Sequence, residues 1–102
     1  MMLRFSLVAV LALTAVPAVA QTEKEVSCGH QADLTAAVVQ ARLDGVAERD
    51  VPEELAKIAT WPENYTAVMV PVIAPYIYEQ KRRDLRKSDL RSTTYAQCMS
   101  LN

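Results

Sequence analysis

Along most of this chain, apolar residues recur at steps of three and four, the spacing that lines one face of an α-helix. Over Ser27–Leu43, the residues Ala32, Thr35, Val39 and Leu43, continued by Val46, share such a face. Ala36, Ala37 and Ala41 add helix propensity there. Asp44-Gly45 should close this helix, with Gly45 in the left-handed position that favours glycine. A second helix is predicted from Asp50, where Asp50-Val51-Pro52-Glu53 has the form of a capping box with an early proline. Its face is Leu55, Ile58 and Ala59, and Trp61-Pro62 ends it.

The third segment, residues 62–80, contains the run YTAVMVPVIAPYIY. Its β-branched content suggests a strand, but Pro71 and Pro75 would each remove a ladder donor that a central strand needs. Set four apart, the two prolines share one side of a helix and would bend it. The expectation is a buried, kinked central helix, or two short helices meeting near Pro71; a lipid- or ligand-binding hairpin is the sharper alternative. The last segment, residues 81–98, is polar, with Leu85, Leu90, Tyr95 and Cys98 as its apolar points and Ser88 as an N-cap for a restarted helix. No repeat appears, and two glycines without a hairpin dipeptide speak against a β-meander. The fold class expected is all-α: a small bundle of three to four helices.

Composition changes this picture at the N-terminus. The chain has 102 residues and is 51% hydrophobic, yet sixteen of its hydrophobic residues crowd into the first twenty. Residues 1–20 combine Arg4, an apolar stretch from Phe5 to Val16, Pro17 and the small-residue end Ala18-Val19-Ala20. This is the pattern of a cleaved signal peptide, with processing after Ala20. The apolar stretch is shorter than the roughly 20 residues a membrane-spanning helix requires. Glu25, three residues before Cys28, does not suit a lipid-attachment site. The expectation is therefore one helical domain, residues 21–102, in the periplasm or secreted, with no stable membrane span after signal removal.

Export also bears on the cysteines. Cys28 and Cys98 are the only two and lie near the ends of the domain. An even count in an oxidising compartment favours a disulfide. A catalytic thiol or metal site is the alternative, but there is no Cys-x-x-Cys pair and His30 is the sole histidine. His30 and Asp33 near Glu23 and Glu25 supply too few ligands in a set pattern for a zinc site. Glu53 and Glu54 are adjacent, hence about 100° apart on a helix, and act as first-turn acids rather than a catalytic pair. No nucleophile elbow, phosphate-cradling loop or zinc-protease motif occurs. No catalytic residue, metal or cofactor is assigned, and the chain is expected not to be an enzyme.

Net charge is −1, against the basic surplus that nucleic-acid binding needs. The charge is uneven, however: residues 21–63 carry nine acidic and four basic side chains, residues 64–102 three acidic and six basic. Those six are Lys81, Arg82, Arg83, Arg86, Lys87 and Arg91, and Arg83, Lys87 and Arg91 recur every four residues. They form either a solvated face attracted to the acidic half of the same molecule or a docking patch for an acidic protein or anionic envelope surface. Trp61 and Tyr65 would be interface anchors if exposed together, and core residues otherwise. An exposed part of the Val68–Ile77 surface would support a dimer.

The cysteine opening an Ala-rich helix, the turn Ala41-Arg42-Leu43-Asp44-Gly45-Val46, the tyrosine-bearing apolar helix and the terminal Tyr95-Ala96-Gln97-Cys98 together have a known look. The chain resembles a loose group of small secreted helical proteins of proteobacteria and prophages, a resemblance that implies no activity. It shares its general build with periplasmic acid-stress chaperones, whose cysteines are closer together. It shares it also with exported immunity proteins that neutralise type VI cell-wall effectors, one group of which has additional internal cysteines. The functions weighed are an exported protein-binding module of inhibitor or immunity type, a periplasmic stress chaperone, a structural envelope protein and a small-ligand carrier.

Overall fold

The longest helix organises everything else. The computed structural model describes residues 22–101; the leader expected over residues 1–20 lies outside them. Helix α1, Glu23–Leu43, begins earlier than its apolar spacing suggests, because Thr22 accepts a hydrogen bond from the Glu25 amide as N-cap. It ends as expected. Gly45 has φ +81°, its amide donates to the Arg42 carbonyl and the Val46 amide to the Ala41 carbonyl, the paired bonds of a Schellman cap.

A short 3-10 turn, Glu48–Asp50, leads into α2, Val51–Ile58. Here the expected capping box does not form. Asp50 is itself helical and makes no side-chain cap bond, since the 3-10 turn already supplies the entry to the helix. Helix α3, Glu63–Glu79, is a single helix through both prolines. Pro71 and Pro75 both lie on its exposed side, and the carbonyls they leave without donors belong to the exposed residues Ala67 and Pro71. Helix α4 is Arg82–Lys87 and helix α5 Leu90–Ser100. Asp89, rather than Ser88, caps α5 by accepting from the Ser92 amide at 3.1 Å, while Ser88 donates back to the Asp84 carbonyl.

The described residues form an all-α bundle of five helices, four of them substantial, closed by a Cys28–Cys98 disulfide with its Cα atoms 5.5 Å apart. Helix α1 packs against α5, α3, α2 and α4, and so buries two seams instead of one. Leu34, Val38 and Ala41 enter the main core with Val51, Leu55, Trp61, Val70, Ala74, Ile77 and Leu85. Cys28, Ala32 and Thr35 form the second seam, also buried, beside α5. The single face predicted through Val39, Leu43 and Val46 is thereby corrected: these three are only partly buried, at the flank of the core. No described helix is long and apolar enough to cross a membrane.

Candidate functional site

The partner-binding residues predicted from sequence do not meet on one surface. Trp61 is 7% exposed, and its indole Nε1 donates to Thr66 Oγ1 at 2.8 Å within the core. Tyr65 is half-buried, its hydroxyl 2.9 Å from Ser27 Oγ and its ring edge-on to His30 with centroids 5.5 Å apart. The condition for a paired aromatic anchor is not met, because the chain reversal between α2 and α3 turns Trp61 inward. Trp61 packs inside the bundle, and Tyr65 sits half-buried at its edge.

The basic residues divide differently. Arg83, Lys87 and Arg91 were expected on one helix face, but the break at Ser88-Asp89 separates α4 from α5. Arg91 pairs with Asp33 of α1. Arg83 lies 3.5 Å from the neighbouring Asp84, both well exposed. Lys81, Arg82, Arg86 and Lys87 are exposed and, among the described residues, lie in no ion pair. Among the described residues, the acidic half of the chain thus forms an ion pair with the cluster only at Arg91. Leu85, buried in the main core, fixes α4 in place so that its charges point away from the bundle. One hydrogen bond and one cation–π contact missed by sequence reasoning anchor this end of α3: the Tyr78 hydroxyl donates to the Val46 carbonyl at 2.7 Å, and the Arg42 guanidinium stacks over the Tyr78 ring at 5.4 Å. Burial raises the Tyr78 phenol above its ordinary value.

A second surface is the part of the Val68–Ile77 segment that the bundle leaves exposed. Helix α3 buries Val70, Ala74 and Ile77 but leaves Val68, Val72 and Tyr76 exposed at 67%, 73% and 62%. With Ala67, Pro71 and Pro75, also exposed, they form an apolar stripe at i,i+4 spacing. The prediction of a buried α3 is corrected accordingly. Beside the stripe, a groove of about 280 Å³ runs between α1, α3 and α5, lined by Thr35, Met69, Ile73, Leu90, Thr93 and Gln97 among others. The Thr35 hydroxyl, Arg42 Nε and Gln80 Nε2 are buried without a hydrogen-bond partner among the described residues.

Among the described residues no three His, Cys, Asp or Glu side chains converge as metal ligands. Comparison with family models, with curated proteins and with solved structures found no match.

One titration bears on the bundle's second seam. Hydrogen bonds from the Ser92 hydroxyl and amide hold the Asp89 carboxyl below its ordinary value. Because the folded-state value is lowered, the cap's contribution is present above the ordinary carboxylate range and is lost as pH falls through the lowered value. Acidification should therefore lower amide protection factors, taken against the intrinsic exchange rate at each pH, at the first turn of α5 before it affects the core amides of α1. Asp89→Asn, which keeps an accepting oxygen, should remove most of that pH dependence.

Proposed function

We propose that this chain is an exported, non-enzymatic protein-binding module of the cell envelope, of inhibitor or immunity type, that engages an acidic protein through α4. The observation carrying this reading is the cluster Lys81, Arg82, Arg86 and Lys87, which stands exposed and lies in no ion pair among the described residues. Had the cluster served only to attract the acidic half of the same molecule, it would be neutralised as Arg91 is by Asp33. Four unpaired like charges within seven residues repel one another, and an acidic partner relieves that repulsion while steering encounter. Export is supported by the leader pattern of residues 1–20 and by a disulfide of the kind that persists in oxidising compartments.

The test is capture from envelope extract with the intact protein and with Arg82→Glu/Arg86→Glu/Lys87→Glu. These side chains are exposed, so the variant should keep its helical spectrum and melting behaviour. Its capture of an acidic protein should fall by about tenfold or more, and capture by the intact protein should weaken with added salt. Equal recovery by both proteins at every salt concentration contradicts the reading.

A further inference from the structure

We infer that the groove between α1, α3 and α5 binds an uncharged single-chain amphiphile. Its polar head lies among Gln31, Thr35 and Gln97, and its apolar chain lies against Ile73, Ile77 and Leu90. The groove follows from how the helices are tied together. Helix α3 runs parallel to α1, since Tyr65 meets Ser27 and the Gln80 carbonyl meets Arg42. Helix α5 runs antiparallel, since Cys98 joins Cys28 and Arg91 pairs with Asp33. Both pack on α1 but barely on each other, which leaves α1 as a floor and α3 and α5 as walls. The floor is Gln31 and Thr35, one turn apart. The α3 wall is apolar, with Met69, Ile73 and Ile77 at successive turns, and the α5 wall runs from Leu90 to Gln97. Register therefore gives the groove a direction: Gln31 and Gln97 lie toward the disulfide, Ile77 and Leu90 away from it, and Thr35 between.

Three features of the groove select its occupant. Thr35 is 5% exposed, and its hydroxyl, bordering the groove, has no hydrogen-bond partner among the described residues. A buried hydroxyl in that state is unfavourable, and a hydroxyl or carbonyl oxygen of a ligand relieves it. No charged side chain lines the groove, so an ionised head would leave water without a counter-charge. Glutamine amides and a threonine hydroxyl both donate and accept, which suits a neutral alcohol, ester or amide. The volume, about 280 Å³, falls just below the range of about 300–1,000 Å³ usual for ligand cavities, so one short chain fits and a two-tailed lipid does not. Such a chain covers the α3 wall while its head meets Thr35, which water alone cannot do.

Octanol and octanoate, which share a chain and differ in the head, test this by NMR titration of the oxidised protein. Octanol should give saturable shifts at the methyl groups of Met69, Ile73, Ile77 and Leu90, with a Kd of about a millimolar or tighter. Val38, in the main core, should stay unmoved. Octanoate should bind at least about tenfold more weakly. Thr35→Val keeps the shape of the side chain, loses its hydroxyl and should weaken octanol binding several-fold. Thr93→Trp, at an exposed position on the α5 wall, should fill the groove and abolish the shifts with the helical spectrum intact. The absence of a saturable octanol shift overturns the inference, as does equal affinity for octanoate or unchanged affinity in Thr35→Val or Thr93→Trp. None of these outcomes bears on the α4 reading, because no α4 side chain lines the groove.

Discussion

Reducing the Cys28–Cys98 bridge should lower the unfolding free energy by about 4 kcal/mol and release α5 ahead of the rest of the bundle. The magnitude follows from loop closure: the cysteines are 70 residues apart, and the chain-entropy relation gives about 4 kcal/mol for a loop of that length. For a domain this small, that is a large share of total stability. The order of release follows from packing. No residue of α5 is fully buried, so its hold on α1 rests on the disulfide, the Arg91–Asp33 pair, the Lys24 ammonium donating to the Leu101 carbonyl, and partly covered side chains. Both polar contacts are exposed, and exposed pairs contribute little. Denaturant unfolding of the oxidised protein against Cys28→Ala/Cys98→Ala measures the first quantity. Hydrogen exchange measures the second: amides of α5 should lose protection in the variant while those around Leu34 and Val38 retain it. Simultaneous loss across α1 and α5 would mean that the second seam is integral to the main core.

Trp61→Ala should cost about 3–5 kcal/mol, the range for truncating a buried large aromatic, and should do so whether or not any partner is present. Trp61 joins α2 to α3 in the main core, and its Nε1 bond to Thr66 ties it to the first turns of α3. Removing the indole leaves a cavity between two helices and strands a hydroxyl. Trp61→Phe retains much of the apolar contact and loses the hydrogen bond, so it should cost only about 1–2 kcal/mol. The measurement is again denaturant unfolding, together with capture at a temperature where the variant remains folded. A Trp61→Ala protein with near-normal stability and lost capture would return Trp61 to the role of surface anchor.

Much of the architecture was legible in the residues, and the departures have physical causes. The cysteine pair, the Gly45 stop and the proline-marked break between α2 and α3 each depend on local chemistry, and each appears where expected. The face of α1 does not depend on local chemistry alone. A helix surrounded by neighbours buries two seams, and periodicity cannot specify how many neighbours it has; Leu34 and Val38 therefore outrank Val39 and Leu43. Helix α3 poses the converse problem. It is apolar all round, so its pattern could not identify the side left uncovered, and the prolines were the only marker of that side. Asp89 displaced Ser88 as the α5 cap because Ser92 offers both an amide and a hydroxyl to a carboxylate. The basic cluster was visible as composition, but its separation into an Arg91 paired across to α1 and an α4 without a partner from the acidic half required the helix break between them.

Cross-linking from α4 in intact cells tests the central claim most directly. A photoreactive residue placed at position 86 should give a discrete adduct with an acidic envelope protein. The same residue at position 57, where Lys57 is exposed on α2 and paired with Glu54, should not. The position-86 adduct should disappear when Arg82 and Lys87 are both reversed in charge. No adduct from position 86, or the same adduct in equal yield from position 57, would contradict a binding role for the α4 face.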